Sequence, residues 1–171
     1  MAKKKNYTEC LTTPFETGIR NFTSVAKYFL YYAPDIDSAQ STGRIEGALA
    51  EQLVQAMLDQ TGLTDRSKFL KKIQPKSWVA FGLEQDTIDF EKSCMVLDKY
   101  GSETDFHALL RHIRNAFAHG YVYVWKKKKG SFVFLVDYDP KKNKATAKMM
   151  VSMAILEIWK ALIENQIATG E

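Results

Sequence analysis

Apolar residues along this chain recur mainly at intervals of three and four, the spacing of one face of an α-helix. Pro14 is typical of a helix start, whereas Pro34 and Gly62 are typical of residues just beyond a helix end. Residues 77–83 are apolar too, but their spacing does not distinguish a helix from a strand. The pattern predicts helices over residues 14–32, 42–61, 65–73, 86–100, 104–119 and 147–166, and either Ser102 or Thr104 caps the helix that ends at His119.

The period of the pattern changes after Gly120. Residues 121–125 and 131–136 are rich in β-branched and aromatic side chains, and residues 126–130 between them have the composition of a turn. This order predicts a β-hairpin. We therefore expect a mostly α fold, namely a helical bundle with a β-hairpin inserted before the C-terminal helix.

Length and composition suit a single domain over residues 1–171, with residues 1–12 as a flexible basic tail. Hydrophobic residues make up 46% of the chain, which is enough for a buried core. No apolar run reaches the roughly 18 residues of a membrane span, and no signal peptide is apparent, so we expect a cytoplasmic protein that makes no membrane contact. Cys10 and Cys94 lie far apart and outside any metal-ligand spacing, which favours reduced thiols.

The end of the predicted helix 104–119 carries the residues best suited to chemistry. Asn115 and His119 are four residues apart and share one face of a helix, and Arg111 precedes them in the same row. Arg114 flanks that row. Cleavage of RNA without a metal needs a group with a pKa near neutrality to move protons, and it needs a cation to hold the scissile phosphate. Histidine and arginine supply these two functions.

The run Arg114-Asn115-x-x-x-His119, at a helix end and followed by Gly120, resembles the signature of the HEPN superfamily. The resemblance is to stand-alone prokaryotic members found on plasmids and in defence or toxin loci. It implies a helical bundle, a homodimer whose composite active site forms where two motifs meet, and a metal-independent endoribonuclease without a cofactor. The 2′-OH would attack the phosphate, with His119 as general acid/base, Arg114 as phosphate binder and Asn115 as orienter.

In the role implied by the resemblance, the protein is a toxin or antiphage effector that arrests growth and is restrained by an antitoxin or another regulatory partner. The alternative is a non-catalytic HEPN dimerisation module that binds RNA, a nucleotide or a partner protein. A purely structural reading also exists, because Arg and His near a helix C-terminus interact favourably with the helix dipole.

Two neighbours of the motif are candidate RNA contacts with competing interpretations. His112 could be a second imidazole in the site or a surface residue, and the surface position is favoured. Arg111 could bind phosphate or pair with an acid such as Glu103, and the sequence does not separate these two readings. His107 is interpreted as a surface or packing residue.

Lysines are bunched after the motif. Lys126, Lys127, Lys128 and Lys129 occupy the predicted hairpin tip, and Lys141, Lys142 and Lys144 surround the next turn. Because the hairpin starts next to His119, we expect the tip lysines to attract RNA phosphates, although charged tips also serve simply to keep strand edges solvated. On the first strand, Tyr121, Tyr123 and Trp125 alternate on one face, where core or dimer packing is favoured over base stacking.

Two pairs of acids remain, at Asp35/Asp37 and Asp137/Asp139. Acids at this spacing occur in metal-dependent nucleotidyltransferases. Neither pair follows a stretch rich in glycine and serine, so turn acids are the better interpretation and no metal site is expected.

Overall fold

The computed structural model describes residues 17–36, 38–84, 88, 92–127 and 130–169. Two short segments join the regular elements: a π-helical turn Tyr28–Tyr32, which continues the first helix, and a 3₁₀ turn Thr64–Arg66. The described elements are, in chain order, α1 Phe22–Lys27, α2 Gly47–Thr61, β1 Ser67–Leu70, α3 Pro75–Ala80, β2 Cys94–Asp98, α4 Asp105–His119, β3 Val122–Lys127, β4 Gly130–Asp139, β5 Lys144–Ser152 and α5 Met153–Thr169.

The described strands form one five-stranded sheet in the order β1-β2-β5-β4-β3. β1 pairs with β2 in parallel, and the other neighbouring pairs are antiparallel. The expectation of a mostly α bundle with an inserted hairpin is therefore wrong. The hairpin is the edge of a mixed sheet, and that sheet is as much a part of the architecture as the helices.

Both faces of the sheet are covered. On one face, α1, α2, α4 and α5 pack over the main core, and on the other, α3 and the segments beside it cover a smaller cluster around Trp78. β4 shows the alternation directly, because Val133 and Leu135 belong to the main core while Phe134 belongs to the smaller cluster. The middle of the sheet is thus buried on both sides.

Burial on both faces explains why the pattern misled. β2 is apolar from Cys94 to Leu97, and β5 contains the run Met149-Met150-Val151, so neither strand alternates between apolar and polar residues. Continuous apolar runs cannot be told from buried helices by periodicity. Met, Leu and Ala also favour helices, which strengthened the wrong prediction. The predicted helix 86–100 contains a strand, and the predicted helix 147–166 begins only at Met153.

Another error lies in residues 65–73. These form the end of the 3₁₀ turn and then β1, and Pro75 begins α3 instead of closing a helix. Proline suits the first turn of a helix because the N–H that it lacks would have no helical partner there.

Predictions made from helix ends were better than those made from apolar runs. The first helix stops before Pro34 as predicted, but it begins at Phe22, and Pro14 lies outside the described residues. Gly62 ends α2 in the left-handed conformation, with φ 67°. The β3–β4 hairpin is confirmed. No helix in the described part of the chain is long and apolar enough to cross a membrane.

Candidate active site

α4 holds the motif in a fixed position. Its first turn is capped by Thr104, whose hydroxyl oxygen accepts the backbone N–H of His107 at 3.2 Å. Its last turn ends at Gly120, which has φ 74° and lets the chain reverse into β3. The buried face of the helix anchors it in the main core, with Phe106, Leu109, Leu110, Ile113 and Phe117.

The three motif residues lie on the last turns of α4. His119 is the final residue of the helix and is exposed, whereas Arg114 and Asn115 are partly buried. The Asn115 side-chain amide donates a hydrogen bond from Nδ2 to Oδ2 of Asp137, at 3.1 Å. This bond fixes the orientation of the amide and leaves its carbonyl oxygen to accept a hydrogen bond from another group.

His112 is not on the surface, which corrects the sequence interpretation. Its imidazole is fully buried, at 0% exposure. Nδ1 lies 2.7 Å from Oδ2 of Asp137, and Nε2 lies 2.9 Å from the backbone oxygen of Asp98 and 3.1 Å from its carboxylate. Because both ring nitrogens face oxygen acceptors, both must be protonated for both to donate. His112 is therefore an imidazolium held between two strands, and it cannot reach RNA.

The electrostatics of this cluster agree with its geometry. Burial lowers the pKa of His112, but the hydrogen bonds to Asp137 and Asp98 outweigh it and leave the pKa above the ordinary value. Burial likewise raises the pKa of Asp137, and the hydrogen bonds from His112 and Asn115 outweigh it and hold that pKa below its ordinary value. Both shifts favour the charged forms, so the imidazolium and the carboxylate stabilise each other.

Arg111 completes the buried network, so its two readings resolve in favour of the ion pair. Its Nε and Nη2 atoms donate to the two carboxylate oxygens of Glu103, at 2.8 and 2.9 Å. Nη2 also reaches the backbone oxygen of Asp98 at 3.1 Å. A bidentate arginine–carboxylate pair has little freedom to turn toward a phosphate. The guanidinium also stacks 4.1 Å from the ring centre of Tyr100.

Asp137 is the site residue that sequence reasoning missed, because its spacing from Asp139 indicated a turn. It lies in β4 and is 4% exposed. The missed signal is the period of the strand: Val133, Leu135 and Asp137 share one face, so the acid continues a core-facing row. A buried acid needs a partner, and His112 on the apolar face of the preceding helix was the matching residue.

Lys126, the hairpin lysine whose side chain the structure describes, lies far from the motif. Lys126 is paired with Ser131 near the tip, five residues along β3 from Tyr121, which corresponds to about 17 Å of extended strand. Lys128 and Lys129 lie outside the described residues, as does the side chain of Lys127. The turn between β4 and β5, which carries Lys141 and Lys142, lies instead at the motif end of the sheet, since Val136 N–H donates to the Tyr121 carbonyl at 3.0 Å.

Other candidate residues have structural contacts. Tyr123 packs against Phe134 with ring centres 6.1 Å apart, in line with core packing. His107 lies 3.3 Å from the Asp35 carboxylate, in line with a packing role. Asp35 accepts the Ile45 backbone N–H at 2.7 Å, as a turn acid does, and Asp37 lies outside the described residues. No group of three or more His, Cys, Asp or Glu side chains in the described part of the chain is arranged to hold a metal ion.

The last turns of α4 thus form a polar helix end that carries Arg, Asn and an exposed His and is braced against the sheet by buried charges. The family model HEPN pEK499 p136 matches residues 48–167, from the start of α2 to near the end of α5, which is well over half of the chain. The chain belongs to the HEPN pEK499 p136 family. HEPN domains are often ribonucleases. No curated protein and no solved structure matches the chain.

Proposed function

We propose that this protein is a metal-independent endoribonuclease. The observation that carries the proposal is the contrast on α4: His119 is exposed on the last turn, about one helical turn after Arg114 and Asn115, while His112 and Arg111 are held inward. This helix end lies within the segment that matches the HEPN family.

Each residue has a distinct part in the proposed reaction. His119 takes the proton of the ribose 2′-OH as its oxygen attacks the phosphorus, or returns a proton to the 5′-oxygen as the P–O5′ bond breaks. Arg114 neutralises the charge that develops on the phosphate oxygens. Asn115, whose Nδ2 is held by Asp137, presents its carbonyl oxygen to the 2′-OH or to the His119 ring. The products are a 2′,3′-cyclic phosphate and a 5′-OH.

A second copy of the chain would complete the site. All three histidines lie in the described part of the chain, and His107 and His112 are held by acidic residues. One protomer therefore offers a single exposed imidazole, although the reaction uses both a base and an acid. A homodimer that brings two motifs together supplies both. Growth arrest, as a toxin or antiphage effector in the cytoplasm, is the role that we propose for this activity.

The single exposed imidazole also favours a second candidate. A HEPN module that binds RNA, a nucleotide or a partner protein without cutting needs only Arg114 and its neighbours as an anion-binding surface. The two candidates differ in whether the purified protein produces new RNA ends.

The test is to incubate the protein with mixed RNA in EDTA and to analyse the product ends. We expect 2′,3′-cyclic phosphate and 5′-OH ends from the parent, and a loss of cutting of about 10²- to 10³-fold in Arg114→Ala. Sedimentation of the same samples checks that they are dimers. A folded dimer that binds RNA and leaves it intact would refute catalysis and support the binding module.

A further inference from the structure

An exposed strip of aromatic and basic side chains leads away from the motif. We call it the tyrosine strip, and it consists of Tyr121, Tyr138, Lys142 and Tyr100. Tyr121 is 37% exposed and Tyr100 is 49% exposed, and both are among the most exposed large apolar side chains of the described residues. The strip has no part in the core and none in the proposed proton transfers.

Two ring contacts, and one hydrogen bond to the chain neighbour of Lys142, connect the members of the strip. The rings of Tyr121 and Tyr138 lie 5.8 Å apart between centres, tilted by 57°. The Tyr138 hydroxyl donates to the side-chain oxygen of Asn143, the neighbour of Lys142. The Lys142 ammonium lies 5.9 Å from the Tyr100 ring centre. The strip is therefore a continuous surface and not a set of scattered tyrosines.

The strip begins beside the proposed catalytic residue. Tyr121 is two residues after His119, so their Cα atoms are at most about 7.6 Å apart. Tyr138 lies near the end of β4, the strand that pairs with β3. The turn that carries Lys142 comes directly after the end of β4. An RNA chain held along the strip would thus have an adjoining phosphate within reach of the motif.

The charge of the strip complements RNA. Lys141, Lys142 and Lys144 are all exposed in or next to the β4–β5 turn. Lys142 pairs with Asp139 at 3.2 Å, but its side chain keeps 57% of its exposure, so its ammonium can also meet a phosphate. The Arg111 guanidinium also lies over the Tyr100 ring, 4.1 Å from its centre, and Tyr100 still keeps 49% of its surface exposed.

We infer that the tyrosine strip binds unpaired RNA nucleotides next to the scissile bond, with bases stacked on the tyrosine rings and phosphates held by the turn lysines. This inference rests on the proposed ribonuclease site. Aromatic rings interspersed with cations are the usual platform for single-stranded nucleic acid, since every base has a face to stack. Bases within an A-form duplex are already stacked and cannot lie on these rings. The preferred substrate is therefore a loop, bulge or end.

The test measures binding of a short fluorescein-labelled single-stranded RNA by anisotropy, in full-length protein carrying His119→Ala so that the probe is not cut. Adding Tyr121→Ala is expected to weaken binding about tenfold. Tyr31→Ala is the control, since Tyr31 is 45% exposed and lies outside the strip. A duplex of the same length is expected to bind more weakly than the single strand and to be insensitive to Tyr121→Ala.

The lysines allow a matched comparison between the two ends of the hairpin strands. Lys141→Gln with Lys142→Gln is expected to weaken single-strand binding and to lower its salt dependence by roughly 0.7 in slope for each phosphate that the variant no longer binds. Lys126→Gln with Lys127→Gln removes the same charge at the hairpin tip and is expected to have the smaller effect. A larger effect at the tip would overturn the inference.

The remaining outcomes separate this inference from the proposed catalysis. If the parent cuts no RNA but Tyr121→Ala still weakens single-strand binding, the strip stands and the catalytic proposal fails. If the parent cuts RNA while Tyr121→Ala and the turn-lysine variant bind the single strand like the background protein, the strip is refuted. Equal weakening for single strand and duplex would refute it as well. Circular dichroism of each variant confirms that it is folded.

Discussion

Two histidines seven residues apart on α4 have opposite surroundings. His112 is fully buried, with both ring nitrogens bound by oxygens of Asp98 and Asp137. His119 is exposed at the end of the same helix. Both residues are histidines, and they lie on nearly the same face of the helix. The difference therefore comes from the residues that the sheet places opposite each ring.

The comparison teaches that a buried charge can support a site without taking part in it. The His112 imidazolium, the Asp137 carboxylate and the Asn115 amide form a chain of hydrogen bonds from the core to the motif. His112 is fixed because its charge is compensated on both sides. His119 is exposed, and in the proposed mechanism it exchanges protons with the substrate.

The largest expected effect concerns the exposed member. His119→Ala should lower the rate of RNA cutting by about 10²- to 10⁴-fold, since a general acid/base is removed. The free energy of unfolding should change by no more than about 0.5 kcal/mol, because His119 is exposed. Single-turnover cutting and urea denaturation measure the two quantities. Retained cutting would remove His119 from the mechanism.

The buried member should behave in the opposite way. His112→Ala leaves the Asp98 and Asp137 carboxylates without their shared cation, so we expect unfolding to become easier by about 3–5 kcal/mol. The measurement is urea denaturation, with His107→Ala as the control for a partly exposed histidine. A decrease below about 0.5 kcal/mol would show that the buried charges are not coupled as the geometry indicates.

Asp137 connects the buried His112 to Asn115 of the motif, and a substitution at Asp137 tests that connection. Asp137→Asn keeps the shape of the side chain but removes the charge that orients Asn115 and His112. We expect the free energy of unfolding to fall by about 1–3 kcal/mol. We also expect kcat to fall more than KM rises, because the orienting amide is released while the phosphate-binding arginine stays. Unchanged kcat in a folded variant would show that Asn115 needs no such support.

Stability should also depend on pH in a way that reports the buried pair. Because folding raises the pKa of His112, its contribution to the free energy of unfolding is full below about 6.5, the pKa of histidine in an unfolded chain. That contribution is lost as the pH rises through the raised pKa. The lowered pKa of Asp137 means that its stabilisation is full above about 3.8 and is lost as the pH falls through the lowered pKa. Urea denaturation across pH should show a plateau between these limits, and His112→Gln should remove the alkaline slope.

Sequence reasoning succeeded where local chemistry decides the structure. Thr104 and Gly120 set the bounds of α4, and the change of period after Gly120 predicted the hairpin. The placement of Asn115 and His119 on the last turns of α4 followed because residues four apart on a helix share a face wherever the helix packs, and their catalytic role stays a prediction. These features need no knowledge of the tertiary contacts.

It failed where distant segments decide. β2 and β5 are strands because each has partners on both sides in the sheet, and no local signal separates their apolar runs from a buried helix. The burial of His112 depends in the same way on Asp98 and Asp137, which lie 14 and 25 residues away along the chain. The distance of Lys126 from the motif likewise follows from the length and direction of β3.

The most direct test measures cutting and unfolding together for His112→Ala and His119→Ala. We predict that His119→Ala loses cutting and keeps its stability, while His112→Ala loses stability and still cuts under conditions where it remains folded. The contradictory result is that His119→Ala cuts RNA as the parent does, or that a folded, fully stable His112→Ala loses cutting. The first result would remove His119 from the mechanism, and the second would give the buried network a direct part in it.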